Sequence, residues 1–120
     1  MAKILVVDDS PTQLKNLTKL VEGQGHEALT AEDGMAGVNV AKEQQPDLIL
    51  MDVVMPELNG FQATRKITQE ADTSHIPVII VTTKDQQTDQ VWGKRQGASD
   101  YIVKPPDEKD LVAKINSYLK

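Results

Sequence analysis

Residues 4–13 read Ile4-Leu5-Val6-Val7-Asp8-Asp9-Ser10-Pro11-Thr12-Gln13, and this stretch decides the fold. Its four aliphatic residues are typical of a strand that is buried on both faces of a parallel sheet. A helix is predicted to follow at once, because Ser10 can cap it, Pro11 suits its first position and the Gln13 side chain can reach back to the cap. The two carboxylates between strand and helix then lie at an edge of the sheet.

Four more strands are predicted further along the chain. Residues 48–51, 78–81 and 101–103 are short apolar runs that end in polar or turn residues. Residues 27–31 alternate polar and apolar side chains, which is typical of a half-exposed strand at the edge of a sheet. The sheet is therefore expected to have five strands, with the second strand at an edge.

Each predicted strand is followed by a helical pattern. These patterns begin after Ser10, Gly34, Asn59-Gly60 and Asp85, and a closing helix carries apolar residues, Leu111 among them, on one face. Alternating strands and helices predict an α/β fold, a doubly wound (βα)5 parallel sheet with helices on both faces. The polar second strand favours the flavodoxin-like strand order 2-1-3-4-5.

The composition is that of one globular domain. The chain has 120 residues, of which 39% are hydrophobic and 26% charged, and this is enough for a single core. It has no cysteine, and its N-terminal apolar run is too short for a signal sequence or a membrane span, so a cytoplasmic protein without membrane insertion is expected. The net charge of −5 argues against direct DNA binding, because nucleic acid favours clustered lysine and arginine.

A set of polar residues directly follows the central strands. In the order 2-1-3-4-5, the carboxyl ends of strands 1, 3, 4 and 5 meet along one edge, where ligands bind in such sheets. The residues there are Asp8, Asp9, Asp52, Thr82, Thr83 and Lys104. Three clustered carboxylates need a compensating cation, and an all-oxygen cluster suits Mg2+. A carboxylate beside that ion can attack phosphorus while lysine and threonine spread the charge, so the chemistry that fits is phosphoryl transfer to Asp52.

Each of these residues also has an ordinary structural interpretation. Asp9 alone could be a helix cap, Thr82 could simply end a strand, and a lysine before proline, such as Lys104, is usually solvated. Their joint placement at four strand ends favours the chemical interpretation. Neither His26 nor His75 has a partner at metal-ligand spacing, and no role is assigned to them.

The chain resembles the CheY-type response-regulator receiver family over its whole length. The resemblance implies a single receiver domain over residues 1–120 with no output domain. It also implies a phosphorylation switch and not an enzyme. Such a switch catalyses only its own phosphorylation and dephosphorylation. The segments that carry the resemblance are residues 4–10, Leu50-Met51-Asp52, Met55-Pro56 with Gly60, Val81-Thr82, Gly97-Ala98 before Tyr101, and Lys104-Pro105.

The resemblance implies a role for each residue around the acceptor. Asp52 is the phosphoacceptor in this comparison. Mg2+ is bound directly by Asp9, Asp52 and the backbone carbonyl of Val54, and through water by Asp8. The chain's own residues add one expectation: Val54 and Lys84, two positions beyond Asp52 and Thr82, flank the path of the hydrolytic water and set the lifetime of the phosphoryl group.

The remaining implied roles concern the switch and its output. Thr82 and Lys104 hold the phosphoryl group, the Lys104-Pro105 peptide bond is cis, and Tyr101 moves with Thr82 on activation. The only tryptophan lies in the segment that follows Thr82, next to two basic residues, and aromatic and arginine side chains often anchor protein interfaces. We expect an output face there that includes Trp92, Lys94 and Arg95.

A closer resemblance within the family is to the small regulators of twitching motility. It is carried by residues 59–65, 81–85 and 91–97. It implies a chemotaxis-like histidine kinase as phosphodonor and a downstream protein target, with the type IV pilus machinery as the candidate. Pro106 departs from the family, in which a bulky apolar residue often follows Lys-Pro.

Other functions stay open at this point. A phosphate sink for a shared kinase, or a protein-binding scaffold, would use the same fold. A Mg2+-dependent phosphatase with an aspartyl nucleophile would need a second carboxylate two residues after Asp52, where the chain has Val54. A nucleotide-binding domain would need a glycine-rich phosphate loop after strand 1, and the sequence has none there.

Overall fold

Strands and helices alternate through the computed structural model, which describes residues 2–55 and 58–119. The strands pair in parallel in one sheet, in the order 2-1-3-4-5, so the predicted topology is confirmed. The predicted bounds differ by one residue at the first, fourth and fifth strands. The strands are β1 (Lys3–Val7), β2 (Glu27–Ala31), β3 (Leu48–Met51), β4 (Val78–Thr82) and β5 (Asp100–Val103). The helices are α1 (Pro11–Gly23), α2 (Gly34–Gln44), α3 (Gly60–Gln69), α4 (Gln87–Arg95) and α5 (Glu108–Tyr118).

The central strands are apolar on both faces because helices cover both sides of the sheet. In β1, Ile4 and Val6 pack with apolar residues of α1 and α5. The alternate residues Leu5 and Val7 point the other way and pack with α2 and α3. All four side chains are at most 1% exposed. The run of consecutive aliphatic residues is therefore explained by burial on two sides.

The outer elements of the fold are more polar. β2 lies at an edge and pairs only with β1 among the described strands, as predicted. It is half-exposed, but burial does not alternate along it: Glu27 and Thr30 are exposed, whereas Ala28 and Leu29 are partly buried. The helices have between 9 and 13 residues. No helix in the described ranges is long and apolar enough to cross a membrane.

The side-chain caps at the start of α1 and α3 differ in completeness. The Ser10 hydroxyl accepts a hydrogen bond from the Gln13 backbone N–H at 3.4 Å, as predicted, but the return bond from the Gln13 side chain is not formed between these two residues. At α3 the reciprocal cap is complete. The Asn59 side chain accepts from the Gln62 N–H at 2.9 Å, and the Gln62 side chain accepts from the Asn59 N–H at 3.0 Å. The prediction of a reciprocal cap was wrong for α1, and the structure has one at α3 instead.

Candidate active site

Backbone hydrogen bonds continue past the ends of the strands and hold the polar residues in place. The Asp8 N–H donates to the Ala31 carbonyl at 3.1 Å, and the Asp52 N–H donates to the Val7 carbonyl at 2.9 Å. The Lys104 N–H donates to the Thr82 carbonyl at 2.8 Å. The residues that follow β1, β3 and β5 are therefore extensions of the sheet, and their side chains share one edge.

Three carboxylates meet at that edge. One oxygen from each of Asp8, Asp9 and Asp52 lies within 4.8 Å of the other two. Asp8 and Asp52 are only 1% and 8% exposed, whereas Asp9 is exposed to solvent. Oxygen ligands are those that Mg2+ prefers, and one exposed member leaves room for the waters that this ion retains. The donor set therefore fits the predicted cation.

Lys104 lies against the cluster and is paired more closely with one carboxylate than with another. Its Nζ lies 2.6 Å from Asp8 Oδ2 and 3.9 Å from Asp52 Oδ1, and its side chain is 7% exposed. The other Asp8 oxygen accepts a hydrogen bond from the Ser10 N–H at 2.9 Å. Both Asp8 oxygens are thus engaged, whereas Asp52 Oδ2 accepts no hydrogen bond of standard geometry from any residue in 2–55 and 58–119.

The surroundings of Asp52 disfavour its charged form. Burial raises the pKa of Asp52, and the neighbouring Asp8 carboxylate raises it further, whereas Lys104 lowers it. Smaller lowering effects come from the Thr82 hydroxyl and from the Val53 N–H, which donates to Asp52 Oδ1 at 2.8 Å. The net effect is a raised pKa, so a bound cation would relieve the repulsion inside the pocket.

The Thr82 hydroxyl is a buried donor without an acceptor. Thr82 is 0% exposed, and its Oγ1 makes no hydrogen bond of standard geometry with any described residue, although it is close enough to Asp52 to affect that carboxyl group. A buried hydroxyl left unpaired costs free energy, so an acceptor placed beside it would be favoured. A phosphoryl oxygen on Asp52 would be such an acceptor. The neighbouring Thr83 is exposed and is not equivalent.

The rim of the pocket is formed by exposed residues. Val54, two residues after Asp52, is 53% exposed and so presents an apolar side chain to solvent. Lys84, two residues after Thr82, is also exposed, and its Nζ lies 3.9 Å from Asp89 Oδ1. The structure therefore places both predicted lifetime residues on the solvent side of the site. The Lys104-Pro105 peptide bond is cis, as the resemblance implied.

Tyr101 links the Thr82 loop to α4. Its side chain is 8% exposed, and its hydroxyl donates to the Lys84 carbonyl at 2.9 Å. Burial, with smaller contributions from the carboxylates of Asp89, Asp52 and Asp85, raises the pKa of Tyr101 to about 12. Tyr101 is therefore a neutral hydrogen-bond donor at ordinary pH.

Gly93 lets α4 approach the Tyr101 ring. A Cβ atom at Gly93 would lie 3.0 Å from Tyr101 Cδ2 and 2.9 Å from Ile80 Cδ1, which is closer than real side chains come. The helix is thus in direct contact with Tyr101 at the residue next to Trp92. Sequence reasoning did not single out Gly93, because only the packing shows what the glycine touches.

The predicted output residues lie on the outer surface of α4. Val91 and Trp92 are each 49% exposed. Lys94 and Arg95 are exposed, and neither forms a salt bridge with any residue that the structure describes. We call these four residues, Val91, Trp92, Lys94 and Arg95, the α4 patch.

Other features lie outside the carboxylate pocket. A groove of about 710 Å³ runs between α1 and α5, and its lining includes Lys104, Pro105 and Pro106 but none of the three aspartates. It borders the site without containing it. His26 and His75 precede β2 and β4, so they lie toward the opposite end of the strands from the carboxylates.

The chain was compared with known proteins. A family model described as the response regulator receiver domain matches residues 4–116. The chain is 61% identical to Protein PilH of Pseudomonas aeruginosa over 119 residues, which cover 99% of this chain and 98% of that protein. Several other curated relatives are longer, and the chain spans between 26% and 51% of their lengths.

Solved structures share the same fold over nearly the whole chain. The chemotaxis protein CheY4 of Vibrio cholerae is 29% identical, with a TM-score of 0.92 and coverage of 99% of both chains. The receiver domain of a sensor histidine kinase from Pseudomonas aeruginosa PAO1 is 29% identical, with a TM-score of 0.91 and coverage of 98% of this chain and 97% of that one. In that structure a magnesium ion is coordinated in the active-site cleft.

Proposed function

Because the chain belongs to the response regulator receiver family, we propose that it is a phosphorylation switch whose phosphoacceptor is Asp52. The observation that carries the proposal is the convergence of three carboxylates, a buried lysine and an unpartnered buried hydroxyl in one pocket. The phosphodonor is a histidine kinase, and the output is a change in a protein-binding surface.

The transfer step needs a free oxygen on Asp52. That oxygen forms a bond to phosphorus while the bond between phosphorus and the donor's imidazole nitrogen breaks, and the electron pair of the broken bond stays with the imidazole. Lys104 and Thr82 then stabilise the transferred group, the first by its charge and the second by donating a hydrogen bond. Mg2+, when bound, neutralises the developing negative charge on the phosphoryl oxygens.

The Mg2+ ligands in this proposal are oxygen atoms of the chain. Asp9 and Asp52 and the backbone carbonyl of Val54 bind the ion directly, and Asp8 acts through water. The arrangement supports this assignment because Asp8 is already paired with Lys104 at 2.6 Å, whereas Asp9 is exposed and available. The magnesium ion in the related kinase receiver domain supports the same cleft.

The signal leaves the pocket through Tyr101. Movement of Thr82 toward the phosphoryl group shifts the loop that contains Lys84, whose carbonyl holds the Tyr101 hydroxyl at 2.9 Å. The Tyr101 ring contacts α4 at Gly93, so a change in the ring position is transmitted to the neighbouring Trp92. The α4 patch is therefore our candidate for the surface that binds the target protein.

The identity of 61% to Protein PilH supports a specific biological setting. We propose that the protein works in the cytoplasm and that its phosphodonor is a chemotaxis-like histidine kinase. Its output then controls twitching motility by type IV pili. The chain is not expected to turn over a separate substrate. A phosphatase is disfavoured, because the position two residues after Asp52 carries the exposed apolar residue Val54 instead of a carboxylate.

The test is transfer of radioactive phosphate from a phosphorylated chemotaxis-like kinase, and from a small phosphodonor, to the purified chain. We expect an acid-labile phosphoryl group that requires Mg2+ and is absent in Asp52→Asn. Mg2+ should also raise the melting temperature of the wild type by binding only the folded state, and Asp9→Ala should abolish that increase.

Two outcomes would contradict the proposal. Phosphate found on serine, threonine or another aspartate in Asp52→Asn would move the acceptor elsewhere. An unchanged Mg2+ response in Asp9→Ala would place the cation outside the carboxylate cluster.

A further inference from the structure

Gly60, the first residue of α3, lies directly against the backbone of Asp52 and Val53. A Cβ atom at Gly60 would overlap the Asp52 carbonyl oxygen and would lie 2.7 Å from both the Asp52 carbonyl carbon and Val53 Cα. Because these neighbours are backbone atoms, they cannot turn aside as the end of a flexible side chain would. Only glycine fits at this position while the backbone of Asp52 and Val53 keeps its place.

The peptide group that Gly60 contacts also orients the Asp52 carboxylate. The Asp52 carbonyl and the Val53 N–H belong to one planar unit. The Val53 N–H donates to Asp52 Oδ1 at 2.8 Å, so the tilt of this plane determines where the carboxylate points. A side chain at position 60 would displace the Asp52 carbonyl. Because the peptide group is planar, the Val53 N–H would turn with it and its hydrogen bond to the carboxylate would be disturbed.

The start of α3 is itself held firmly. The Gly60 N–H donates to the Val53 carbonyl at 3.1 Å. The reciprocal cap between Asn59 and Gln62 fixes the first turn of the helix, with bonds of 2.9 and 3.0 Å. The buried Phe61 anchors the same turn in the core. These contacts hold Gly60 in its position against the backbone of Asp52 and Val53.

We propose that Gly60, held by the Asn59–Gln62 cap, is a positioning residue that sets the orientation of the Asp52 carboxylate for Mg2+ binding and phosphoryl transfer. The proposal rests on the proposed function of Asp52. It adds a role for α3 that the carboxylates, Lys104 and Thr82 do not supply. Residues that orient metal ligands typically contribute about 10- to 100-fold to metal affinity or activity.

The test compares Gly60→Ala with a matched variant of Gly97, a glycine after α4 that packs against Thr68 near the last residue of α3. Gly97→Ala is the control, because a Cβ there would lie 2.6 Å from Thr68 Oγ1 and the residue has a φ of +99°, so it strains α3 contacts far from Asp52. Mg2+ affinity is measured by titration calorimetry, phosphorylation rate with a small phosphodonor, and stability by urea unfolding. We expect Gly60→Ala to weaken Mg2+ binding and slow phosphorylation about 10-fold or more, and Gly97→Ala to lower stability alone.

A second set of variants covers the case in which Gly60→Ala does not fold. Asn59→Ala removes the cap and should weaken Mg2+ binding, whereas Asn59→Ser, which can still cap the helix, should restore it. Wild-type Mg2+ affinity and phosphorylation rate in a folded Gly60→Ala would overturn the proposal, as would wild-type Mg2+ affinity in Asn59→Ala if Gly60→Ala is unfolded. Failure of the wild type to bind Mg2+ or accept phosphate would instead overturn the proposed function.

Discussion

The pocket at the strand ends and the α4 patch hold their charges in opposite ways. In the pocket, Lys104 and Asp8 are buried and lie 2.6 Å apart, whereas on α4 the cations of Lys94 and Arg95 are exposed and make no salt bridge with any described residue. A buried pair has one geometry and interacts strongly, while an exposed cation is hydrated and can pair with a partner protein. The contrast indicates that one region is organised for chemistry and the other for recognition.

The two regions also differ in their neutral groups. In the pocket the group that lacks a hydrogen-bond partner among the described residues is a polar one, the Thr82 hydroxyl, which is fully buried. On α4 the uncharged side chains of the patch are apolar and only half covered, since Val91 and Trp92 are each 49% exposed. A buried donor favours an oxygen acceptor, whereas an exposed aromatic side chain favours burial against another protein. In our proposal a phosphoryl group would satisfy the first and a target protein the second.

The largest effect is expected from breaking the buried ion pair. Lys104→Met leaves Asp8 and Asp52 without a cation, so we expect the free energy of unfolding to fall by about 3 kcal/mol without Mg2+. Phosphorylation by a small donor should slow roughly 100-fold, because the charge that stabilises the transferred group is lost. Urea unfolding with and without Mg2+ measures the first effect, and part of the loss should be recovered when the ion supplies positive charge.

A surface pair in the same protein provides the control for that variant. Lys114 Nζ lies 3.5 Å from Asp100 Oδ2, with side chains that are 32% and 24% exposed. Lys114→Met should change stability by no more than about 1 kcal/mol. Equal losses of stability in Lys104→Met and Lys114→Met would contradict the claim that the buried pair contributes more to stability than the exposed one.

A smaller effect is expected at the rim, where an exposed residue borders the buried site. The Val54 side chain cannot position the hydrolytic water by hydrogen bonding, whereas an asparagine side chain can. Val54→Asn should therefore increase the rate of autodephosphorylation roughly 10-fold. Mg2+ affinity should change less, because only the backbone carbonyl of Val54 faces the ion in our proposal. Decay of the labelled phosphoprotein gives the rate, with Val54→Ala as the control.

The lifetime also separates the two signalling roles left open by the sequence. A phosphoryl group that persists long enough to meet a target suits a messenger, and rapid loss suits a phosphate sink. Identical hydrolysis rates in the wild type and Val54→Asn would show that Val54 does not set the lifetime of the phosphoryl group.

A spectroscopic change is expected where the two regions communicate. If phosphorylation moves Thr82 and Tyr101, the contact at Gly93 shifts and the environment of Trp92 changes. Tryptophan fluorescence should therefore change when a phosphoryl mimic is added with Mg2+. The change should be absent in Asp52→Asn and reduced in Thr82→Ala. Identical spectra under conditions in which the mimic is shown to bind would mean that the signal leaves by another surface.

The smallest effect is expected from the hydrogen bond between the two regions. Tyr101→Phe removes the donor to the Lys84 carbonyl and should cost about 1 kcal/mol of stability at neutral pH. The folded pKa of Tyr101 is about 12, above its ordinary value of 10.0. The unfolded chain therefore loses this proton first, so the added stability is complete below pH 10 and is lost as the pH rises toward 12. The stability difference between the wild type and Tyr101→Phe should shrink over that window in urea unfolding.

The sequence by itself determined the elements and their order. The aliphatic runs of β1, β3 and β4 could be identified because burial on both faces demands consecutive apolar residues, and the polar alternation of β2 placed that strand at an edge. The strand order then indicated that Asp8, Asp52 and Lys104 share one edge, since they directly follow their strands. These inferences need only local periodicity and the general rules for parallel sheets.

The tertiary structure decided how those residues meet. Lys104 pairs with Asp8 rather than Asp52 across 96 positions of sequence, and the sequence pattern does not distinguish the two carboxylates. Nor does it show that the Thr82 hydroxyl lacks an acceptor among the described residues, or that a Cβ atom at Gly60 or Gly93 would collide with Asp52 or Tyr101. Such contacts depend on how whole helices pack against the sheet to within a fraction of an ångström. Periodicity determines which face a residue occupies, and only the assembled core determines what that face touches.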